Sequence, residues 1–230
     1  MNGARQFLTD GTALLLAAVD RMPDPELDRP SRLPGWSRRH VLAHLAANAD
    51  ALRRLVSWAR TGREQRMYAS REQRDAEIEQ GSALPADRLR DWLVDSSRRL
   101  AADLAELDEP AWRAEVVTAQ GRTVPATEIP WLRAREVYVH AVDLDAGVGF
   151  ADLPTDFLTR LTDEVVAKRS DGTGPAATLR AVDTGGTWEI AGTGAPAPVE
   201  ASLAELAAWL TGRAVTTADG GRLPELSPWL

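Results

Sequence analysis

Apolar residues in the first 150 positions recur with a helical period, in blocks that proline and glycine close off. Phe7, Leu8, Leu14, Leu15, Ala18 and Val19 make the first block, and Pro23, Pro25 and Pro30 forbid its continuation. Ser37, after the turn Pro34-Gly35-Trp36, predicts the N-cap of a second helix. Its stripe is Val41, Leu45, Leu52, Leu55 and Val56, and Gly62 predicts its end. A third helix is expected from about Ala86 to Leu107 through Leu89, Leu93, Leu100 and Leu104. Thr127 and Pro130 open a fourth, which carries Leu132, Glu136, Val139, His140 and Leu144 toward Gly147. Four such helices predict a four-helix bundle. The charged stretch 63–80, with Met67, Tyr68 and Ile78 as anchors, reads as a short, partly exposed helical excursion. Val116, Val117 and Val124 around Gln120-Gly121 read as a short hairpin or an extended loop.

The pattern changes after residue 150, where six of the 17 glycines fall between Gly172 and Gly194. A helix through Phe157, Leu161 and Val165 is followed by Thr178–Val182 and Thr187–Ala191. These flank Asp183-Thr184-Gly185-Gly186 and predict a β-hairpin. Gly192-Thr193-Gly194, followed by Pro196 and Pro198, reads as a loop and not as a phosphate cradle. A last helix opens on the capping box Ser202/Glu205 and runs to Gly212-Arg213. The expected fold class is α+β, with a bundle over residues 1–150 and a small α+β domain over 151–230.

Composition excludes several functions. A hydrophobic fraction of 44% supports a real core. The net charge of −7 argues against a nucleic-acid partner, which needs a basic face. The longest apolar run, Ala13 to Val19, is too short to span a bilayer, and no cleavage-site pattern follows it. A soluble cytoplasmic protein is the expectation. The chain has no cysteine, so it has no disulfide, no thiolate metal ligand and no thiol nucleophile of its own.

Candidate chemistry rests on three histidines, His40, His44 and His140. His140 follows Glu136 by four residues on a predicted helix, an offset of about 40° around the axis and about 6 Å along it. Both side chains can reach one ion, and His44 on a second helix of the same bundle can complete a His₂Glu set with one open position. Such i,i+4 pairs also occur for surface stability alone, and His40 and His44 are themselves i,i+4 neighbours. Glu136 sits on an otherwise apolar stripe, where an unpaired carboxylate is costly. A metal would offset that cost, and so would Arg133 or Arg135.

Several separated motifs resemble the mycothiol-dependent maleylpyruvate isomerase family. They are Leu33-Pro34-Gly35-Trp36-Ser37 with Val41-Leu42-Ala43-His44-Leu45, Ser70-Arg71-Glu72-Gln73-Arg74-Asp75, and Gln120-Gly121-Arg122-Thr123-Val124-Pro125. Ile129-Pro130-Trp131, Arg135-Glu136-Val137-Tyr138-Val139-His140-Ala141-Val142-Asp143-Leu144 and Trp209-Leu210-Thr211-Gly212-Arg213 continue the match. The resemblance implies a DinB-like bundle, a C-terminal domain similar to sterol-carrier-protein folds, and zinc on His44, Glu136 and His140, with His40 outside the set. It also implies a functional arginine at Arg213.

The implied reaction is cis–trans isomerisation of maleylpyruvate to fumarylpyruvate, with mycothiol as thiol cosubstrate. A thiolate that adds reversibly to the alkene makes the bond single, permits rotation and is then expelled. The two substrate carboxylates call for guanidinium partners. Arg213 is the first candidate, followed by Arg122 and Arg74, for which a solvated face is the alternative. Two other readings remain at this stage: a mycothiol S-transferase that releases a thioether, and a non-catalytic bundle in which Glu136 pairs with an arginine.

Overall fold

The computed structural model describes residues 2–214, 216, 220 and 223–227. It divides into two compact units, Met1–Val148 and Gly149–Leu230.

In the first unit the four periodic segments form α1 (Asn2–Asp20), α2 (Arg38–Thr61), α4 (Ala86–Ala105) and α6 (Ile129–Asp143). α1 packs along α6 and α2 along α4, with α2 also against α6 and α1 against α4, which is a four-helix bundle. Leu45, Leu52, Leu55, Leu89, Leu93, Leu100, Ile129 and Val142 are all buried, as the period-3.6 stripes require. Gly62 ends α2 in the left-handed region, at φ 69°, and its N–H bonds the Trp58 carbonyl.

The charged stretch differs from expectation. Residues 62–70 carry no regular helix, and the helical turns come later, as α3 (Arg71–Ser82), N-capped by the Ser70 hydroxyl on the Gln73 N–H. A short α5 (Glu109–Arg113) follows, capped by Asp108 and with Pro110 in its first turn, where proline is tolerated. Val116 and Val124 then face each other across a hairpin of β1 (Glu115–Val117) and β2 (Thr123–Pro125).

The second unit holds α7 (Thr155–Arg169), β3 (Pro175–Ala181), β4 (Thr187–Ile190), β5 (Thr193–Ala201) and α8 (Leu203–Leu210). β3 is central, antiparallel to β4 and parallel to β5. The loop expected at Gly192-Thr193-Gly194 is therefore corrected, since Thr193 and Gly194 begin the edge strand β5. Pro196 and Pro198 lie two residues apart, so their missing N–H groups fall on the same side of the strand, where the unpaired edge needs no donor. The chain crosses from β4 to β5 in two residues, Ala191 and Gly192. A Cβ at Gly192 would lie 2.4 Å from the Gly174 carbonyl oxygen, so only glycine fits that crossing. The Ser202/Glu205 box caps α8: the Glu205 carboxylate accepts from the Ser202 N–H at 2.8 Å, and the Ser202 hydroxyl from the Glu205 N–H at 3.3 Å. α7 and α8 pack together, against β4 and β3 respectively. Among the described residues no helix is long and apolar enough to cross a membrane.

Candidate metal centre

His44 lies seven residues into α2, on the side that meets α6, while Glu136 and His140 lie one turn apart on α6. The bundle brings the three together. The His44 Nε2 is 2.8 Å and the His140 Nε2 3.3 Å from the same Glu136 oxygen, Oε2. One ligand atom from each of the three residues falls within 4.8 Å of the others, the only such His/Asp/Glu cluster among the described residues. Glu136 pairs with two imidazoles and, among the described residues, with no arginine.

Electrostatics sets the protonation pattern. Burial pulls the His44 pKa down to about 4, with the Glu136 hydrogen bond opposing, so this ring is neutral at pH 7. Burial pushes the Glu136 carboxyl up, but the hydrogen bonds and charges of His140 and His44 outweigh it and hold the group well below the usual carboxylate range. Burial pulls His140 down as well, yet Asp143 and Glu136 raise it above an ordinary histidine. Asp143 is fully buried and its Oδ2 lies 2.8 Å from the His140 Nδ1. A carboxylate only accepts, so Nδ1 carries the proton and donates. The raised pKa favours a proton on Nε2 as well, facing the Glu136 carboxylate. A divalent cation that binds the set would take the place of that proton, and the donor set of two imidazoles and one carboxylate suits zinc.

His40 does something else. Its Nδ1 accepts from the Ser37 N–H at 3.2 Å and the Ser37 hydroxyl at 2.7 Å, the role that Glu or Gln plays in a capping box. The Trp36 ring is near both histidines, its centroid 6.2 Å from that of His40 and 5.6 Å from that of His44.

The candidate arginines separate. Arg74, in the first turn of α3, places Nη2 3.5 Å from the His44 Nδ1 and bonds Asp75 through Nη1. Arg122 is exposed and makes no contact with His44, Glu136 or His140 among the described residues; its backbone closes the β1–β2 turn against Thr118. Arg213, in the second unit, donates to the Thr211 carbonyl at 2.6 Å, at the C-terminus of α8. Sequence alone gives no chemical role to two residues that act on the cluster. Asp143 is one; its signal was the i,i+3 spacing from His140. Tyr68 is the other, a mostly buried phenol whose pKa burial raises to about 12 and which lies within the fields of Arg74 and Glu136.

A helical bundle here brings two histidines and a glutamate together as a donor set of the kind that could hold a metal ion. The family described as mycothiol maleylpyruvate isomerase N-terminal domain matches residues 8–145. A crystal structure of the mycothiol-dependent maleylpyruvate isomerase is 38% identical, covers 99% of this chain and 96% of that one, and superposes with a TM-score of 0.92. A mutant of that enzyme gives 37% identity with the same coverage and TM-score. YfiT from Bacillus subtilis, with its four-helix bundle topology, shares the fold at 20% identity over 63% of this chain and 83% of its own, with a TM-score of 0.53. No curated protein sequence matches the chain. The chain belongs to the mycothiol-dependent maleylpyruvate isomerase family of enzymes.

Proposed function

We propose that this protein is a zinc- and mycothiol-dependent isomerase that converts maleylpyruvate to fumarylpyruvate in the cytoplasm. The observation that carries the reading is the convergence of His44 and His140 on Glu136 in a chain 38% identical to a mycothiol-dependent maleylpyruvate isomerase.

His44, Glu136 and His140 would hold the zinc, and Asp143 would fix the His140 ring with Nε2 toward it. When bound, zinc supplies a Lewis acid that favours a thiolate or a polarised substrate carbonyl. The chain's own groups do the rest. Burial keeps His44 neutral and the two imidazoles keep Glu136 ionised, while His140, whose pKa is raised, would release a proton from Nε2 on loading. The mycothiol thiolate adds to the alkene carbon β to the ketone, and the electron pair of the double bond moves into the enolate. Rotation about the new single bond follows. The enolate then reforms the alkene and expels the thiolate, so no proton or electron is consumed overall. Arg74, which lies beside His44, would receive a carboxylate or the thiolate charge, and Arg122 and Arg213 are proposed as further carboxylate partners.

The product decides between this reaction and thiol transfer. With zinc, mycothiol and maleylpyruvate, chromatography is expected to show fumarylpyruvate with the thiol returned unchanged. A stable thioether that consumes one thiol per turnover would instead establish an S-transferase.

Arg213→Ala is expected to keep zinc content and fold while losing at least about tenfold in kcat/KM, the scale of one charged hydrogen bond. Lysine should rescue only partly, lacking the planar fork. Unchanged kinetics with a lowered melting temperature would make Arg213 a helix-end cation only, the part its bond to the Thr211 carbonyl already plays.

A further inference from the structure

The proposed metal site leaves one buried charge without a purpose. Arg133 is fully buried and precedes Glu136 by three residues on α6, about 4.5 Å along the axis. Its guanidinium donates to the Leu45 carbonyl at 2.7 Å, to the Asn48 Oδ1 at 2.8 Å and to the Ser97 hydroxyl at 3.2 Å. All three acceptors are neutral. Among the described residues no carboxylate lies within ion-pair distance of it. A buried cation with only neutral partners is costly, because desolvation exceeds what such bonds return. Burial accordingly pulls its pKa down to about 10, against the opposing fields of Glu136, Tyr68 and Asp50. A neutral side chain of similar length could make one or two of the same bonds without that cost.

We infer that Arg133 sets the charge of the metal centre, keeping the loaded His44–Glu136–His140 site net positive so that it retains an anionic ligand, thiolate or carboxylate, while weakening its hold on the metal. The inference rests on the metal reading above. With both rings neutral, Glu136 and the Asp143 behind His140 together cancel the charge of a divalent ion. Arg133, bonded to the carbonyl of the residue after His44, tips the balance to positive, since Arg74 is itself paired with Asp75. In a buried region such charges act at low effective dielectric, so a single one has a large effect. A nearby cation also favours a thiolate over a thiol.

A structural alternative exists, because the bond to Leu45 ties α2 to α6 at the residue after His44. The two roles predict opposite signs. Loss of a tie loosens the ligands and weakens metal binding; loss of a repelling charge tightens it.

The test is the Zn²⁺ affinity of the full chain, measured by competition with a chromophoric chelator, for Arg133→Gln, Arg133→Met and Arg133→Lys. Glutamine keeps a donor for the Leu45 carbonyl and removes the charge. It is expected to bind Zn²⁺ at least about tenfold more tightly than the parent, while lysine stays within about threefold of it. Methionine is the second neutral variant if glutamine does not fold, and is expected to tighten binding likewise. Neutral variants that bind equally or more weakly would overturn the inference and leave the metal site standing. A parent chain that binds no Zn²⁺ would overturn both.

Discussion

Glu136→Ala is expected to take zinc content from about one per chain to near zero and to abolish turnover, because three protein ligands are the least that holds a catalytic zinc. Glu136 is the ligand that both rings address, at 2.8 and 3.3 Å, so its loss removes the only anion of the set. His44→Ala and His140→Ala should do the same. His40→Ala is the control. Its ring closes the capping box of α2, so its removal should cost about 1 kcal/mol of stability and leave metal content unchanged. Elemental analysis of the four purified variants, with a melting curve for each, reads both effects. Full zinc occupancy in His44→Ala would sink the ligand assignment.

The bundle was legible because its information is local. Each helix carries its own stripe and its own stop, and Ser37, Gly62 and the Ser202/Glu205 pair signal ends that the structure shows. The Glu136/His140 spacing is also local, since both residues share one helix. What local pattern could not supply was the partner of Glu136. Arg133 and Arg135 are nearer to Glu136 in sequence than either His140 or His44, and only the packing of α2 on α6 shows Glu136 facing the two rings. The same limit applies to β5. Two prolines speak against a strand in isolation, and whether an edge is free to accept them depends on the order of the sheet. α3 was displaced for a different reason. Its surface is charged almost throughout, so periodicity is faint, and its start is fixed by one hydroxyl, that of Ser70. Arg74 acquires its place beside His44 from that start.

Isomerisation is expected to stop when mycothiol is withheld and to survive treatment of the protein alone with a thiol-alkylating reagent. The reasoning begins with the bond. Rotation about a carbon–carbon double bond requires that the bond become single, and addition of a good nucleophile that is also a good leaving group achieves this reversibly. Thiolate meets both conditions, and the 230 residues contain no cysteine to supply one. The thiol must therefore come from solution, and alkylation of the protein has no target. A free thiol of pKa ~8.5 is only a few per cent thiolate at pH 7, so the site has to favour the anion. The Arg74 guanidinium beside His44 is proposed to contribute to this. Turnover followed spectroscopically with and without mycothiol, on untreated and on alkylated protein, gives four rates. Two should be equal and two should be near zero. Rapid turnover by the thiol-free protein would remove addition–elimination by a thiol from consideration.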